Sequence, residues 1–318
     1  MSWETIVPFL RPIEFLILDP DVSDILVNAS GRVFVERFGQ LQEVPGVILS
    51  EKNLRIAVRH IARALDSDIN EEKPLLDARL PDGSRVAAVY SPCSVNGTTL
   101  AIRKFQSKRY TADELVRVGT LTPELLLQLR TAVELHQNIL IAGSTGAGKT
   151  TLLNALASFI DPTERVIVIE DTAEIQIQQA NLVRLEARRE QPDLPAVTIR
   201  DLLKATLRLR PDRILLGEVR GGEAFDLLQA LNTGHSGTLS TIHANSAQLA
   251  VSRFATCVLI SHVELPHKAI RASIAESLDL VIHLCRRKDK RIVTEFLRIK
   301  RYDSAQDLFE FEKLYGSE

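Results

Sequence analysis

Residues 143–151 read Gly-Ser-Thr-Gly-Ala-Gly-Lys-Thr-Thr, and this stretch with its flanks decides the fold. Gly143, Gly148, Lys149 and Thr150 stand at the fixed positions of G-x-x-x-x-G-K-[ST]. Before them, Asn138-Ile-Leu-Ile-Ala142 is a short apolar run suited to a buried parallel strand. After them, Leu152, Leu153 and Leu156 recur at helical spacing. Strand, glycine loop, helix is the order that builds a phosphate cradle. Glycines let the backbone close around an anion without Cβ clashes. Loop N–H groups and the positive end of the helix then face it. Ser144, Thr145, Gly146, Ala147 and Thr151 complete the cradle. Lys149 is expected at the outer phosphates and the Thr150 hydroxyl at Mg²⁺.

Outward from the loop the pattern alternates. Thr122-Pro123-Glu124 is a helix start, with the helix running to Glu134. Strands are expected over 166–170, 182–185, 214–217 and 238–242, and helices over 198–208, 223–232, 248–259 and 266–277. Such alternation predicts a mostly parallel sheet covered on both faces, with ligands at the carboxyl ends of the strands. Three polar clusters fall at strand ends: Glu170-Asp-Thr-Ala-Glu174, Gly217-Glu-Val-Arg220, and 233–246, which holds His235 and His243. Each alone reads equally well as a solvated strand end. Behind a phosphate loop they suit nucleotide hydrolysis, which needs an oriented water, metal charge and a sensor of the γ-phosphate. Glu218 stands where a water-orienting carboxylate belongs. Asp171 and Glu174 offer carboxylates to Mg²⁺ or its waters, and His235 and His243 offer donors to the γ-phosphate. Many phosphate-loop enzymes carry an Asp in the strand that here reads Ile214-Leu-Leu-Gly217. Without it, metal holding falls to Thr150, Glu218 and Asp171.

The first hundred residues predict a smaller α+β domain. Strands are expected over 24–28, 33–38, 84–90 and 98–103, with a helix over 50–65 capped by Ser50 and turns at 29–32, 80–83 and Asn96-Gly97. Arg79, Arg85 and Arg103 lie at strand ends and, taken alone, read as solvated charges. The polar stretch 106–119 marks a boundary, so the division is 1–108, a linker over 109–121, and 122–318.

Composition bounds the rest. A chain of 318 residues suits two domains. A net charge of −2 creates no overall field toward nucleic acid or membrane. No apolar run approaches a membrane span and no secretion signal opens the chain, so an intracellular location is expected. Cys93, Cys257 and Cys285 have neither disulfide nor zinc spacing and read as small buried hydrophobes. The basic tip Arg286-Arg-Lys-Asp-Lys-Arg291 reads as a solvated turn, with contact to anionic lipid as the second reading.

Four blocks in order resemble the secretion ATPase superfamily, the ring motors of type II and type IV secretion, pili and conjugation. They are Gly143–Thr151, Val166–Glu174, Arg210–Ala224 and Ala230–Ala247. Ala78–Val86 and Leu100–Phe105 are similar to the N-terminal domain of the conjugal-transfer and type IV secretion branch. The resemblance implies a RecA-like ATPase domain after an N-terminal α+β domain, and a homo-hexamer that hydrolyses ATP with Mg²⁺. It implies Glu218 as the catalytic glutamate and Asp171 with Glu174 as the acidic box. His235 and His243 are implied as the histidine-box pair, and Arg103 with either Arg85 or Arg79 as the charge stabiliser. It further implies inner-membrane channel components as partners, indirect contact with the secreted substrate, and peripheral attachment at the cytoplasmic face of the inner membrane. The short N-terminus and absence of a cysteine motif favour conjugation or type IV secretion over a pilus, Tad-type or type II motor. A hexameric nucleic-acid motor on the same core and a nucleotide-gated adaptor are rival readings. Five per cent aromatics and near-zero charge argue against the first, and Glu218 with both histidines against the second.

Overall fold

The computed structural model describes residues 7–37, 39–65, 67–80, 82–105, 110–188, 190, 194–287 and 290–316. Phe38 of the expected strand, Pro81 of the expected turn, 106–109 of the expected boundary, and Lys288 and Asp289 of the basic tip lie outside the described residues. The chain divides into two units, Met1–Lys108 and Arg109–Glu318.

The first unit holds one six-stranded sheet. Its strands are β1 Val22–Val27, β2 Arg32–Arg37, β3 Gln40–Ile48, β4 Leu75–Arg79, β5 Arg85–Val89 and β6 Thr99–Arg103. They lie in the order β3-β2-β1-β6-β5-β4 with antiparallel neighbours. A short helix α1 (Glu14–Leu18) precedes the sheet, and α2 (Glu51–Ala64) follows β3. The Ser50 side chain accepts the Asn53 N–H and caps α2, whose Leu54, Ala57, Val58, Ile61 and Ala62 are buried. Both edge strands escaped the sequence reading. β3 is largely exposed and carries Pro45 and Gly46, which suit an edge and blur alternation. β4 is five residues long with one buried position. Register pairs Arg79 with Arg85 and Arg85 with Arg103, so the three arginines collect at one end of three adjacent strands.

The second unit is built on an eight-stranded sheet in the order β14-β13-β12-β7-β11-β10-β8-β9. The strands are β7 Ile139–Gly143, β8 Val166–Glu170, β9 Leu182–Glu186, β10 Arg213–Val219, β11 Leu239–Ile242, β12 Leu280–Arg287, β13 Lys290–Asp303 and β14 Leu308–Gly316. From β12 to β9 neighbours are parallel, and β13 and β14 extend the sheet as an antiparallel meander. Alternate residues of the central strands enter opposite cores. Ile139, Ile141, Val166, Val168 and Leu215 join one cluster, and Leu140, Ala142, Ile167, Ile169 and Leu216 the other. The first face is covered by α3 (Ala112–Arg117), α4 (Pro123–Glu134) and α5 (Lys149–Ala157). The second is covered by α6 (Ile199–Thr206), α7 (Glu223–Asn232), α8 (Ala247–Ile260) and α9 (His267–Ser277).

The stretch expected as a linker over 109–121 carries α3 instead. Thr111 and Glu114 form a reciprocal capping box, and Ala112, Leu115 and Leu121 are buried in the core beneath β7. Three apolar anchors among polar residues suffice to dock a two-turn helix that composition alone reads as loop. At the opposite end of the sheet, Arg213 is 1% exposed. It donates to both Glu164 oxygens at 2.5 and 3.1 Å and to Val133 O at 2.9 Å. Gly237, with φ +79, lies against this guanidinium, and a Cβ there would stand 2.1 Å from Nη1. Among the described residues no helix is long and apolar enough to cross a membrane.

Candidate active site

The phosphate loop is aimed by β7, which is buried at all five positions between β12 and β11. Gly143 pairs with Leu284, and a Cβ on it would meet Leu284 O at 2.5 Å. Gly146 and Gly148 take φ of +72 and +96, which favour glycine. The Ala147 N–H closes the loop on Ser144 O at 3.3 Å. Ser144, Thr145 and Gly146 are exposed, and Thr150 and Thr151 begin α5 half-buried. Lys149, 8% exposed, donates to Gly143 O and Ser144 O, both at 3.1 Å. These carbonyls hold the ammonium beside the cradle. Burial lowers its pKa, and the charges of Glu218 and Glu174 oppose that shift.

Glu218 reaches the same place from β10. The β10–β11 register slips between Leu216 and Val219, so Gly217 and Glu218 sit on a bulge. Such an irregularity re-aims a side chain that a flat strand would point elsewhere. Glu218 Oε1 lies 3.3 Å from His243 Nε2, and the imidazole nitrogens lie 3.4 and 3.5 Å from Lys149 Nζ. A proton on Nε2 lets the imidazole donate to Glu218, while Lys149 Nζ, almost equidistant from the two ring nitrogens, lies beside the ring. Burial and the Lys149 charge hold His243 below the usual imidazole range, against the pull of Glu218. Arg220 grips Glu218 with two bonds, at 2.8 and 3.1 Å, and reaches Asp171 at 3.3 Å. Burial pushes the Glu218 carboxyl up, but Arg220, His243 and Lys149 together outweigh it and hold the carboxyl below its usual range.

The structure brings Lys149, Glu218, His243, Asp171 and Glu174 together, with Glu174 exposed at the rim. His235 does not join them. It precedes β11 at the end where β7 begins, because Leu239 pairs with Ile139. Four residues of β7 at ~3.3 Å each separate that end from the loop. Its Nδ1 lies 3.2 Å from Ala230 O at the end of α7. Arg79, Arg85 and Arg103 belong to the first unit, where Arg103 Nε meets Asp24 Oδ1 at 3.0 Å.

Two residues at the site were given no role of their own from sequence. Glu170, 3% exposed, accepts the N–H groups of Glu174 and Ile175 at 2.8 and 2.7 Å and so shapes the acidic loop. Burial, against those bonds and Arg184, raises its pKa to about 7. The available signal was a carboxylate ending the otherwise apolar run Val166–Glu170. The other is Arg291, whose Nε donates to Gly146 O at 2.9 Å. The expected solvated or lipid-facing tip thus has one of its arginines on the phosphate loop. Among the described residues no group of three His, Cys, Asp or Glu could hold a metal ion unaided. The site fits Mg²⁺, which takes one or two protein ligands together with phosphates and water. The Thr150 hydroxyl and the nearby carboxylates are oxygen donors of the type that Mg²⁺ takes.

Comparison with known proteins bears on the family and the fold. The family model described as "Type II/IV secretion system protein" matches residues 10–309. The conjugal transfer protein TrbB of Rhizobium radiobacter is 35% identical over 287 residues, covering 89% of this chain and 85% of the relative. The crystal structure of the VirB11 ATPase from the Brucella suis type IV secretion system, in complex with sulphate, matches with a TM-score of 0.50 at 32% identity. It covers 92% of this chain and 97% of that one. The Legionella pneumophila ATPase DotB matches with a TM-score of 0.65 at 22% identity, covering 92% and 81%, a likeness of fold.

Proposed function

This chain belongs to the type II/IV secretion system protein family, as an ATPase of its type IV secretion and conjugal-transfer branch, and from that premise we propose how its residues do the work. ATP binds with its phosphates in the loop Gly143–Thr151, and Lys149 and the start of α5 meet the phosphate charge. Thr150, Glu218 and Asp171 would hold Mg²⁺, which would supply charge neutralisation on the phosphates. Glu218 orients the attacking water, and His243 reports the γ-phosphate. Arg103, with Arg85 or Arg79, supplies the charge that stabilises the transition state. The subunits act as a homo-hexameric ring at the cytoplasmic face of the inner membrane, passing work to channel components of a secretion or conjugation machine.

The observation that carries this reading is the convergence of Lys149, His243 and Glu218 within 3.5 Å contacts at the mouth of the loop. Phosphate release by the full chain tests it. Lys149→Ala is expected to lose nucleotide binding. Glu218→Gln, which keeps the shape and loses the charge, is expected to keep binding while turnover falls by about 10²–10³-fold. Full turnover in both variants overturns it.

A further inference from the structure

β12 runs parallel to β7 with Leu284 beside Gly143, so the β12–β13 hairpin continues past the phosphate loop. Arg286 pairs with Arg291 across that overhang. Arg291 lies along the loop: a Cβ on Gly148 would stand 3.1 Å from Arg291 Cδ, and Arg291 Nε donates to Gly146 O at 2.9 Å. The stem covers one glycine while the head holds the carbonyl of another.

A loop that cradles an anion turns its N–H groups inward and its carbonyls outward. Gly146 C=O and Ala147 N–H belong to one planar peptide and point in opposite directions. Fixing the oxygen outward therefore fixes the N–H direction, and here that N–H closes the loop on Ser144 O at 3.3 Å. Gly146 sits at φ +72, a region open to glycine, so on its own side this peptide has few steric limits of its own. A hydrogen bond from an ionised donor is stronger than a neutral one and suits the task.

We propose that Arg291 is a positioning residue for nucleotide binding, holding the Gly146 carbonyl and with it the closed turn of the loop in which the phosphates sit. The proposal rests on the ATP reading of the loop. It assigns Arg291 an effect on affinity, because the loop contacts are made with bound and reacting nucleotide alike.

The test is titration of the full chain with a fluorescent ADP analogue, alongside steady-state ATP hydrolysis. Arg291→Ala is expected to raise Kd and KM about tenfold, the worth of one charge-assisted hydrogen bond, with kcat within about twofold. Arg291→Gln places an amide N–H at the chain position of Nε without a charge and is expected to restore most of the affinity. Arg291→Lys keeps the charge without that donor and is expected to resemble the alanine variant. Rescue by Lys and not by Gln overturns the proposal, since Arg291 then acts as a charge on the nucleotide. Unchanged affinity in the alanine variant, or a fall in kcat at constant KM, also overturns it. If Arg291→Ala unfolds, the Gln and Lys variants still decide. Loss of binding in Lys149→Ala with full binding in Arg291→Ala sinks this inference and spares the ATP reading. A wild-type chain that binds no nucleotide sinks both.

Discussion

Gly217 faces Glu170 across the paired strands β10 and β8, and a Cβ on Gly217 would stand 3.1 Å from Glu170 Cγ. This contact accounts for the absence of an acidic residue in the strand Ile214–Gly217. The space such a side chain would enter is lined by a carboxylate that arrives from β8. That carboxylate is turned to the backbone of the acidic loop.

Gly217→Ala is therefore expected to destabilise the chain by about 1–3 kcal/mol through overpacking. Chemical denaturation reads the difference. The same substitution is expected to disturb the loop after β8 and weaken hydrolysis. A stability equal to wild type refutes the packing account.

Glu170 also sets a pH dependence. Its folded pKa, about 7, lies above the ordinary value of 4.5. The protonated carboxyl is then the form that suits the fold, so its contribution is full below the ordinary value and is lost as pH rises through about 7. Wild type is expected to lose stability relative to Glu170→Gln between those limits, by roughly 3 kcal/mol. Denaturation of both proteins at pH 5 and pH 8 checks this, and a constant difference between them excludes it.

Arg220 holds Glu218 by two bonds and contributes to keeping its carboxyl ionised. Arg220→Ala leaves the burial that raises the Glu218 pKa and removes the largest opposing influence. The acid limb of the kcat profile is expected to move to higher pH, because the water-orienting form is the carboxylate. Hydrolysis measured from pH 5 to 9 checks the direction. A limb that stays in place or moves down contradicts the role given to Arg220.

The buried pair Arg213–Glu164 lies at the far end of the sheet from the loop. Removing one partner leaves the other charge uncompensated. Glu164→Ala is expected to cost roughly 3–5 kcal/mol, and Arg213→Met with Glu164→Leu together much less. A double-mutant cycle in urea measures the coupling. Additive losses remove the case for a coupled pair.

Much of this was legible in the chain itself. The phosphate loop, the strand before it and the helix after it announce themselves locally, since phosphate wrapping, strand burial and helical spacing are written in consecutive residues. Glu218, His243 and Asp171 were legible because each closes a strand of a parallel sheet, and such ends converge by topology. Helix α3 was not legible because only Ala112 and Leu115 of it are buried, too few for a periodic signal. β14 was missed although Phe309 and Phe311 alternate with Glu310 and Glu312. His235 was grouped with His243 because the seven intervening residues say nothing about which end of β11 each occupies.

By itself the sequence determined the class of fold, the anion-binding loop and the residue types that serve it. Those depend on dihedral freedom, periodicity and charge over short spans of chain. Tertiary structure decided who meets whom: His243 beside Lys149 from 94 residues away, and Arg291 on Gly146 from 145 residues away. Register between strands and the path of each crossover fix those meetings. Both follow from how two apolar cores close over one sheet, a property of the whole unit that no stretch of it carries alone.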